Sequence, residues 1–337
     1  MRNFKTSLVT LVVSLVLLSS TVLGKDTVKL FPVHSKGKYG YIDKRGKIKI
    51  RFKFDDAWPF SESLASVEIN KKRGYINASG TIIIRPQFVW ANSFFEGLAK
   101  VVTTDSFGLS GFIDKSGKIV IKPQFRDVEN FSGGVALVQV NGKYGYIDRT
   151  GKTVIAPQFS FAHSFSEDLA CVQANGKWGY VDNVGRIVIP LQFDDATSFS
   201  EGVASVELNG KHFFIDKKGI VASRPQSDYS GLFFGGLFSE GWVRWRFSDE
   251  KWGYLDKTGR VVLKQRFDVT WDFSEGLARV QIGDTWAFIN KAGAIVIKPK
   301  RFSVVTDFEG GLASGITPDD TEIWFDKRGR IVWTVKN

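Results

Sequence analysis

"NGKYGYIDRTGKTVIAPQF" occupies residues 141–159, and "NGKWGYVDNVGRIVIPLQF" occupies residues 175–193, 34 positions later. Two near-copies one fixed interval apart mark a repeat, and a repeat constrains a fold before any single residue does. The acid that closes "GYID" recurs, as Asp or Asn, at Asp43, Asn77, Asp114, Asp148, Asp182, Asp216, Asp256, Asn290 and Asp326. The steps are 34, 37, 34, 34, 34, 40, 34 and 36, so the chain holds nine units, most of them 34 residues long.

Each column of the unit has a physical task. Three residues after the acid, all nine units carry Gly, from Gly46 to Gly329. An acid at i and Gly at i+3 predict a type I turn closed by a left-handed glycine, inside a short hairpin. Two residues before the acid every unit is aromatic, and one residue before it every unit is apolar. Adjacent strand residues point to opposite faces, and a strand apolar on both faces is covered on both. A Val/Ile-rich strand such as "RIVIPL" follows the Gly, and one such as "LASVEL" precedes "GYID" across turns such as Asn141-Gly142. The unit is therefore predicted to be a three-stranded antiparallel meander. A crossing segment joins units, with two Phe six apart, as in Phe193/Phe199 and Phe54/Phe60, read as pegs into the core. A lone meander cannot cover two apolar faces, so neighbours must cover each other.

The fold class is all-β. Propeller blades usually have four strands in about 40–45 residues and close in rings of about four to eight. Shorter, three-stranded units in ninefold tandem predict an open superhelical stack. The alternative is a closed propeller-like ring sealed by "TVKLFPV", residues 27–33.

"GKYGYIDKRGK", "GKWGYVDNVGR" and "KWGYLDKTGR", with "PQF" and "FSEGLA", resemble the WG (KWG) repeat of bacterial proteins. The resemblance runs from residue 25 onward and implies a repeat module without transferable catalytic residues. The signature Trp column departs from the pattern, reading Tyr39, Arg73, Ser110, Tyr144, Trp178, His212, Trp252, Trp286 and Glu322. Its Gly partner is replaced by Phe213, Ala287 and Ile323.

Residues 1–24 have the pattern of a secretory signal: Arg2 and Lys5, an apolar Leu8–Leu18 run, then small residues to Gly24. That apolar run is too short to span a bilayer, so residues 25–337 are expected to be an exported β domain, periplasmic or extracellular, with no membrane span. One cysteine, Cys171, makes no internal disulfide. Removing Arg2 and Lys5 lowers the net charge from +11 to +9.

His34, His163 and His212 sit in different units without zinc spacing, so neither metal nor cofactor is expected. "GYIDRTGKT" has five residues between its glycines and lies between strands, so it is no phosphate loop. Acids recur at one place in most units, which suits turn caps and edges better than a unique catalytic pair. Two candidate binding surfaces remain. Lys44, Lys115, Lys217 and Lys257 occupy equivalent turns and would align as a basic ridge. The lengthened step before Asp256 carries "SDYSGLFFGGLFSEGWVRWRF", residues 227–247. There Tyr229, Phe233, Phe234, Arg244, Trp245 and Arg246 have the composition of a binding hot spot, Phe233, Phe234 and Trp245 having no counterpart in the repeat. The expected function is a non-enzymatic binding or scaffold surface for a protein or polysaccharide of the cell envelope, export arguing against nucleic acid as the natural partner. The alternative is a glycan-directed enzyme using acids of an irregular unit.

Overall fold

The computed structural model describes residues 29–225, 236–247 and 250–335. The hairpins form where acid and glycine place them. The Gly185 amide donates to the Asp182 carbonyl at 2.9 Å, and the Asp182 carboxylate accepts the Val184 and Arg186 amides at 3.2 and 2.9 Å. All nine turn glycines have φ between 73° and 88°. Asn77 and Asn290 make the same amide contacts through their side-chain oxygens. The Asn-Gly turns are left-handed at both residues, as at Asn175 (φ 51°) and Gly176 (φ 76°), the type I′ geometry that matches strand twist.

Nine antiparallel sheets follow one another along the chain, one per unit. The crossing segment differs from expectation. It contributes a strand of its own, as Asp195–Ala196 does beside Ala204–Leu208, giving the order Asp195–Ala196, Ala204–Leu208, Lys211–Ile215, Val221–Ser223 in the sixth sheet. Seven of the nine sheets are thus four-stranded; the first and seventh have three strands among the described residues. A 34-residue unit suffices because the added strand is only two residues long in six of those seven. Most of the Phe pegs are buried beneath it, Phe199 completely.

The glycine of the signature has a steric cause. Trp178 pairs with Phe193 and Tyr180 with Ile189, so the blade's last strand, Ile187–Phe193, carries two extra residues opposite Gly179. A Cβ on Gly179 would meet the backbone of Ile189, Pro190 and Leu191 at 2.6–2.8 Å. Where the glycine is absent the bulge shrinks. Opposite Ala287 one extra residue remains, between Lys300 and Ile297, and Ile323 pairs directly with Thr334.

The sheets pack as the blades of a closed ring, not as an open stack. Within the chain, each turn glycine sits against the end strand of the preceding blade: Gly117 on Ile84, Gly185 on Ile155, Gly219 on Ile189. Gly46 of blade 1 makes that contact with Val332 of blade 9. Phe31, Val33, Ile42 and Leu312 share one core cluster with Trp324, Val332 and Trp333, and Phe52 stacks on Trp333 at 5.6 Å. One inter-blade contact repeated with constant rotation brings the ninth blade back to the first. The seal is side-chain packing: Leu30–Ser35 pairs only with Lys38–Asp43, and no described strand pair joins blades 9 and 1.

Hydrogen bonds tie neighbouring blades at fixed offsets. The hydroxyls of Tyr41, Tyr75, Tyr146, Tyr180 and Tyr254 each donate to a carbonyl 17 residues on, at 2.6–2.8 Å. Ser61, Ser166, Ser200, Ser239 and Ser274 donate from the turn before the second strand to the carbonyl of the next blade's buried Phe, at 2.6–2.7 Å.

Two outcomes check this architecture. Gly46→Ala should destabilise far more than Gly202→Ala, although both have positive φ. At Gly202 a Cβ meets nothing within 4 Å, so only left-handed strain of about 1–2 kcal/mol is added. At Gly46 it runs into the Val332 carbonyl, so equal melting temperatures would mean an unsealed ring. The second concerns acid. The Thr150 hydroxyl, helped by the Thr150 and Lys152 amides, holds the Asp148 carboxyl below its ordinary range. A depressed carboxylate contributes stability above its unfolded pKa, about 4, and loses it as pH falls through the folded value. Because Asn serves in two units, Asp148→Asn should fold at pH 7 and lose less stability than wild type between about pH 4 and pH 2, measured by denaturant titration.

Candidate binding surface

Register places the signature column in a row of cross-strand neighbours. In blade 5 the row is Phe161, Gln173, Trp178; in blade 6 it is Asp195, Glu207, His212; in blade 2 it is Asp56, Glu68, Arg73. Blade 3 has Trp90, Val102 and Ser110, and blade 4 has Asp127, Gln139 and Tyr144. The adjacent row hardly changes: Ala57–Val67–Gly74, Ala91–Val101–Gly111, Ala162–Val172–Gly179. Constant side chains therefore hold the blades, and variable ones gather in one row per blade.

These rows meet across blade interfaces. Phe161 lies 6.3 Å from Tyr144 of blade 4 and 6.4 Å from Trp178, both stacked, and His163 stacks on Trp178 at 5.6 Å. Phe161 is 56 % exposed, so this aromatic line is open to solvent. Arg73 is 4 % exposed, with its guanidinium 5.1 Å from the Trp58 ring and 4.9 Å from Trp90. It pairs with Asp56 and lies 3.5 Å from Glu68. Arg279 sits 4.2 Å over Trp271 and 2.7 Å from the Asp307 carboxylate. Burial raises the pKa of Asp307 and of Asp272, each opposed by its arginine, Arg279 and Arg244. Cation–aromatic contacts gain strength when desolvated in this way.

Three of the four ridge lysines face carboxylates across blade junctions. Glu62, Glu167 and Glu201 lie 3.0, 3.3 and 3.1 Å from Lys115, Lys217 and Lys257 of the following blade. The same carboxylates accept the Gly97, Gly202 and Gly241 amides at 2.8–3.2 Å. Three of the four ridge lysines are thus one half of an inter-blade clamp. Lys44 differs, because Gly310 stands in blade 9 where the clamp glutamate belongs. At the blade 4–5 junction both members are missing together, Gly133 and Asn183. The clamp glutamates hold φ near 50°, as at Glu167 and Glu201, a conformation that non-glycine residues rarely adopt.

The lengthened step is likewise reassigned in part. Tyr229, Phe233 and Phe234 lie outside the described residues. Trp245 does have a counterpart: it takes the place of Val67, Val206 and Val280 in the constant row, is 2 % exposed, and packs edge-on to His212 and Phe214. Arg244 is drawn inward, its guanidinium 3.3 Å from the Thr270 carbonyl and 3.4 Å from Asp272. Arg246 stands in the variable row opposite Trp252, 3.7 Å from Glu250. Missed in the sequence were Trp58, Trp90, Phe161, Asp195 and Glu207. Their signal was variation at fixed offsets from the invariant Phe, in columns otherwise regular.

Among the described residues no group of three or more His, Cys, Asp or Glu is placed to hold a metal ion, and no helix is long and apolar enough to cross a membrane. Cys171 is buried, its thiol pushed upward in pKa by desolvation.

A family model described as WG containing repeat matches residues 39–72, 74–105, 111–144, 144–178, 178–211, 252–286 and 286–314. Residues 212–251, which it passes over, contain the lengthened step. Among solved structures the chain is similar to a eukaryotic initiation factor at 9% identity, covering 91% of this chain and 96% of that one with a TM-score of 0.62. It is also similar to BamB from Moraxella catarrhalis at 13% identity, covering 87% and 92% with a TM-score of 0.43. At such identities the first likeness concerns the fold alone. No curated protein matches the chain.

Lys217→Glu should lower the melting temperature by setting a like charge against Glu167, whereas Lys44→Glu should leave it nearly unchanged. Exposed pairs are worth about 0–1 kcal/mol, so the expected difference is a few degrees or less, read by calorimetry at low salt. Equal effects of the two reversals would remove the clamp assignment.

Proposed function

Because the chain belongs to the WG-repeat family, whose model matches seven stretches of it, we propose that it works as an exported, non-enzymatic ring that holds a partner of the cell envelope, protein or polysaccharide, on its variable rows. One observation carries this reading. Within each blade the turn, packing and inter-blade positions repeat, while the cross-strand row changes from acids to arginine to exposed aromatics. A constant frame presenting changing side chains on one set of positions is what a recognition surface requires, since specificity rests on a few anchors surrounded by supporting contacts. The apolar Leu8–Leu18 run and Gly24 support export.

Exposed Phe161, with half-buried Tyr144 and Trp178 on either side, supplies the anchors of largest area. Aromatic anchors at the centre of an interface cost about 2 kcal/mol or more when truncated. Phe161→Ala with Trp178→Ala should therefore reduce retention of the purified ring on isolated envelope material at least tenfold. Phe161 is exposed enough for its loss to spare the fold, and the single Phe161→Ala variant provides that control by thermal unfolding. Retention of the folded double variant at the wild-type level would refute the assignment of the rows as the binding surface.

A further inference from the structure

The two ends of each blade differ in character. In a four-stranded antiparallel meander the first and third turns lie at one end of the sheet and the second turn at the other. The clamp joins the first turn of one blade to the third turn of the next, as Glu201 does with Lys257, so one face of the ring carries both sets. The Asn-Gly turns lie on the opposite face, and the variable rows flank them: Glu207 stands two residues before Asn209, and His212 two residues after Gly210. Variable and constant surfaces are thereby separated by the length of a strand.

The constant face is basic and apolar together. Among the described residues, 14 of the 23 exposed large apolar side chains lie in one window of the unit, within the six residues that follow the turn acid. Ile187 and Val188 are typical, 59 % and 42 % exposed; blade 2 has Ile82 and Ile83 there, and blade 8 has Ile295 and Val296. Neighbouring strand residues point to opposite faces, so the start of this edge strand is uncovered on both. Six units place an exposed Lys or Arg four residues after the acid, directly ahead of that pair, as Lys47, Lys118 and Lys152 do. In the other three of the six, Arg186, Arg260 and Arg330 pair with their own turn acid and still keep 68–81 % of the side chain exposed. Lysines protect an exposed edge strand from pairing, but exposed aliphatic neighbours do not serve that task.

One rotation repeated from blade to blade sets equivalent residues on one circle, so this rim meets a flat, uniform partner evenly. A globular protein with an interface of about 800 Å² per side covers a few blades and gives no cause for the same pair to recur around the ring. We propose that the rim docks the ring on an anionic lipid bilayer, its basic residues meeting the headgroups and its aliphatic residues entering the interfacial layer, with the variable rows facing away. Basic residues are attracted to an anionic surface, and apolar side chains beside them add buried area at the boundary of headgroup and acyl chain. The rim lies opposite the variable rows, and its docking does not depend on what those rows hold.

The test is co-sedimentation with vesicles of phosphatidylglycerol mixed into phosphatidylcholine, against vesicles of phosphatidylcholine alone. The protein is the chain from residue 25 onward, which keeps every blade, because the apolar Leu8–Leu18 run would enter lipid by itself. Binding should require phosphatidylglycerol and weaken as salt screens the charges. Ile119→Thr, Ile187→Thr, Val221→Thr and Ile331→Thr together should weaken it at least about tenfold through lost apolar burial and leave its salt dependence unchanged. Each basic residue beside an anionic surface contributes about fivefold, so Lys47→Thr, Lys118→Thr and Lys152→Thr together should weaken it at least tenfold at low salt and flatten the salt dependence. Thr153 and Thr81 already occupy these two positions in blades 4 and 2, so both sets suit the fold, which thermal unfolding checks. Phe161→Ala, on the opposite face, should sediment as the wild type does. No sedimentation with phosphatidylglycerol vesicles at low salt overturns the proposal, as does equal sedimentation with both kinds of vesicle. Full binding by the folded aliphatic set, with loss confined to the lysine set, makes the rim a surface for any polyanion and overturns it too. The vesicles hold neither protein nor polysaccharide, so these outcomes leave the reading of the variable rows where it stands.

Discussion

A glycine at positive φ, pressed against the neighbouring blade, is the constraint on which this ring depends. The turn needs it for the hairpin, because only glycine enters the left-handed region without cost. The packing needs it a second time, because the missing Cβ lets each turn seat on the last strand of the preceding blade. Local conformation and tertiary contact thus make the same demand of one residue in nine places. The acid three positions earlier closes the turn with its carboxylate, and the aromatic two positions before that acid fills the space beneath. Once these are set, the angle between blades is set, and a constant angle closes.

Further bonds are laid along the same interfaces one repeat apart. Tyrosine hydroxyls, serine hydroxyls and clamp glutamates each reach the next blade at their own offset. They cost the ring little order, since the groups they join already face each other through packing. The clamp illustrates a local strain held by a tertiary contact. Glutamate takes a left-handed turn position where glycine or asparagine would rest more easily, and it is held there by two amides or an amide and a lysine. Where the chain drops the clamp, as at Gly133 and Gly310, it reverts to glycine, and at the blade 4–5 junction the basic partner disappears with it. Blades 9 and 1 keep Lys44 but not the glutamate, so their junction relies on Phe31, Trp324, Phe52 and Trp333.

Against this frame the signature pair divides into two roles. Its glycine makes room for a two-residue bulge in the blade's last strand, and the bulge diminishes in blades 8 and 9, which lack it. Its tryptophan stands in the variable row, which is why that position departs so freely to Arg73, Ser110 or His212 while the packing columns stay constant. Arg73 fills a frame of carboxylates and indoles with its own charge.

The sequence by itself determined the nine units, their strands and turns, and the glycine at each hairpin, because those features answer to neighbours within a few residues and recur in every copy. Periodicity also exposed the signature column and its departures. It could not decide between ring and stack, since that depends on a rotation between blades accumulated nine times, and no single unit records it. Nor could it find the fourth strand, because two residues such as Asp195–Ala196 carry no period of their own and become a strand only when Ala204–Leu208 offers its edge. The lysine ridge looked free because its glutamate partners lie some fifty residues away in the chain. Trp245 looked like an insertion because the longer step hid its register with Val206 and Val280. The rows of Asp56, Glu68 and Arg73, and of Asp195, Glu207 and His212, are assembled from three strands each. Only the antiparallel pairing of those strands puts an acid opposite an acid and both beside a third group, which is where this protein keeps its differences.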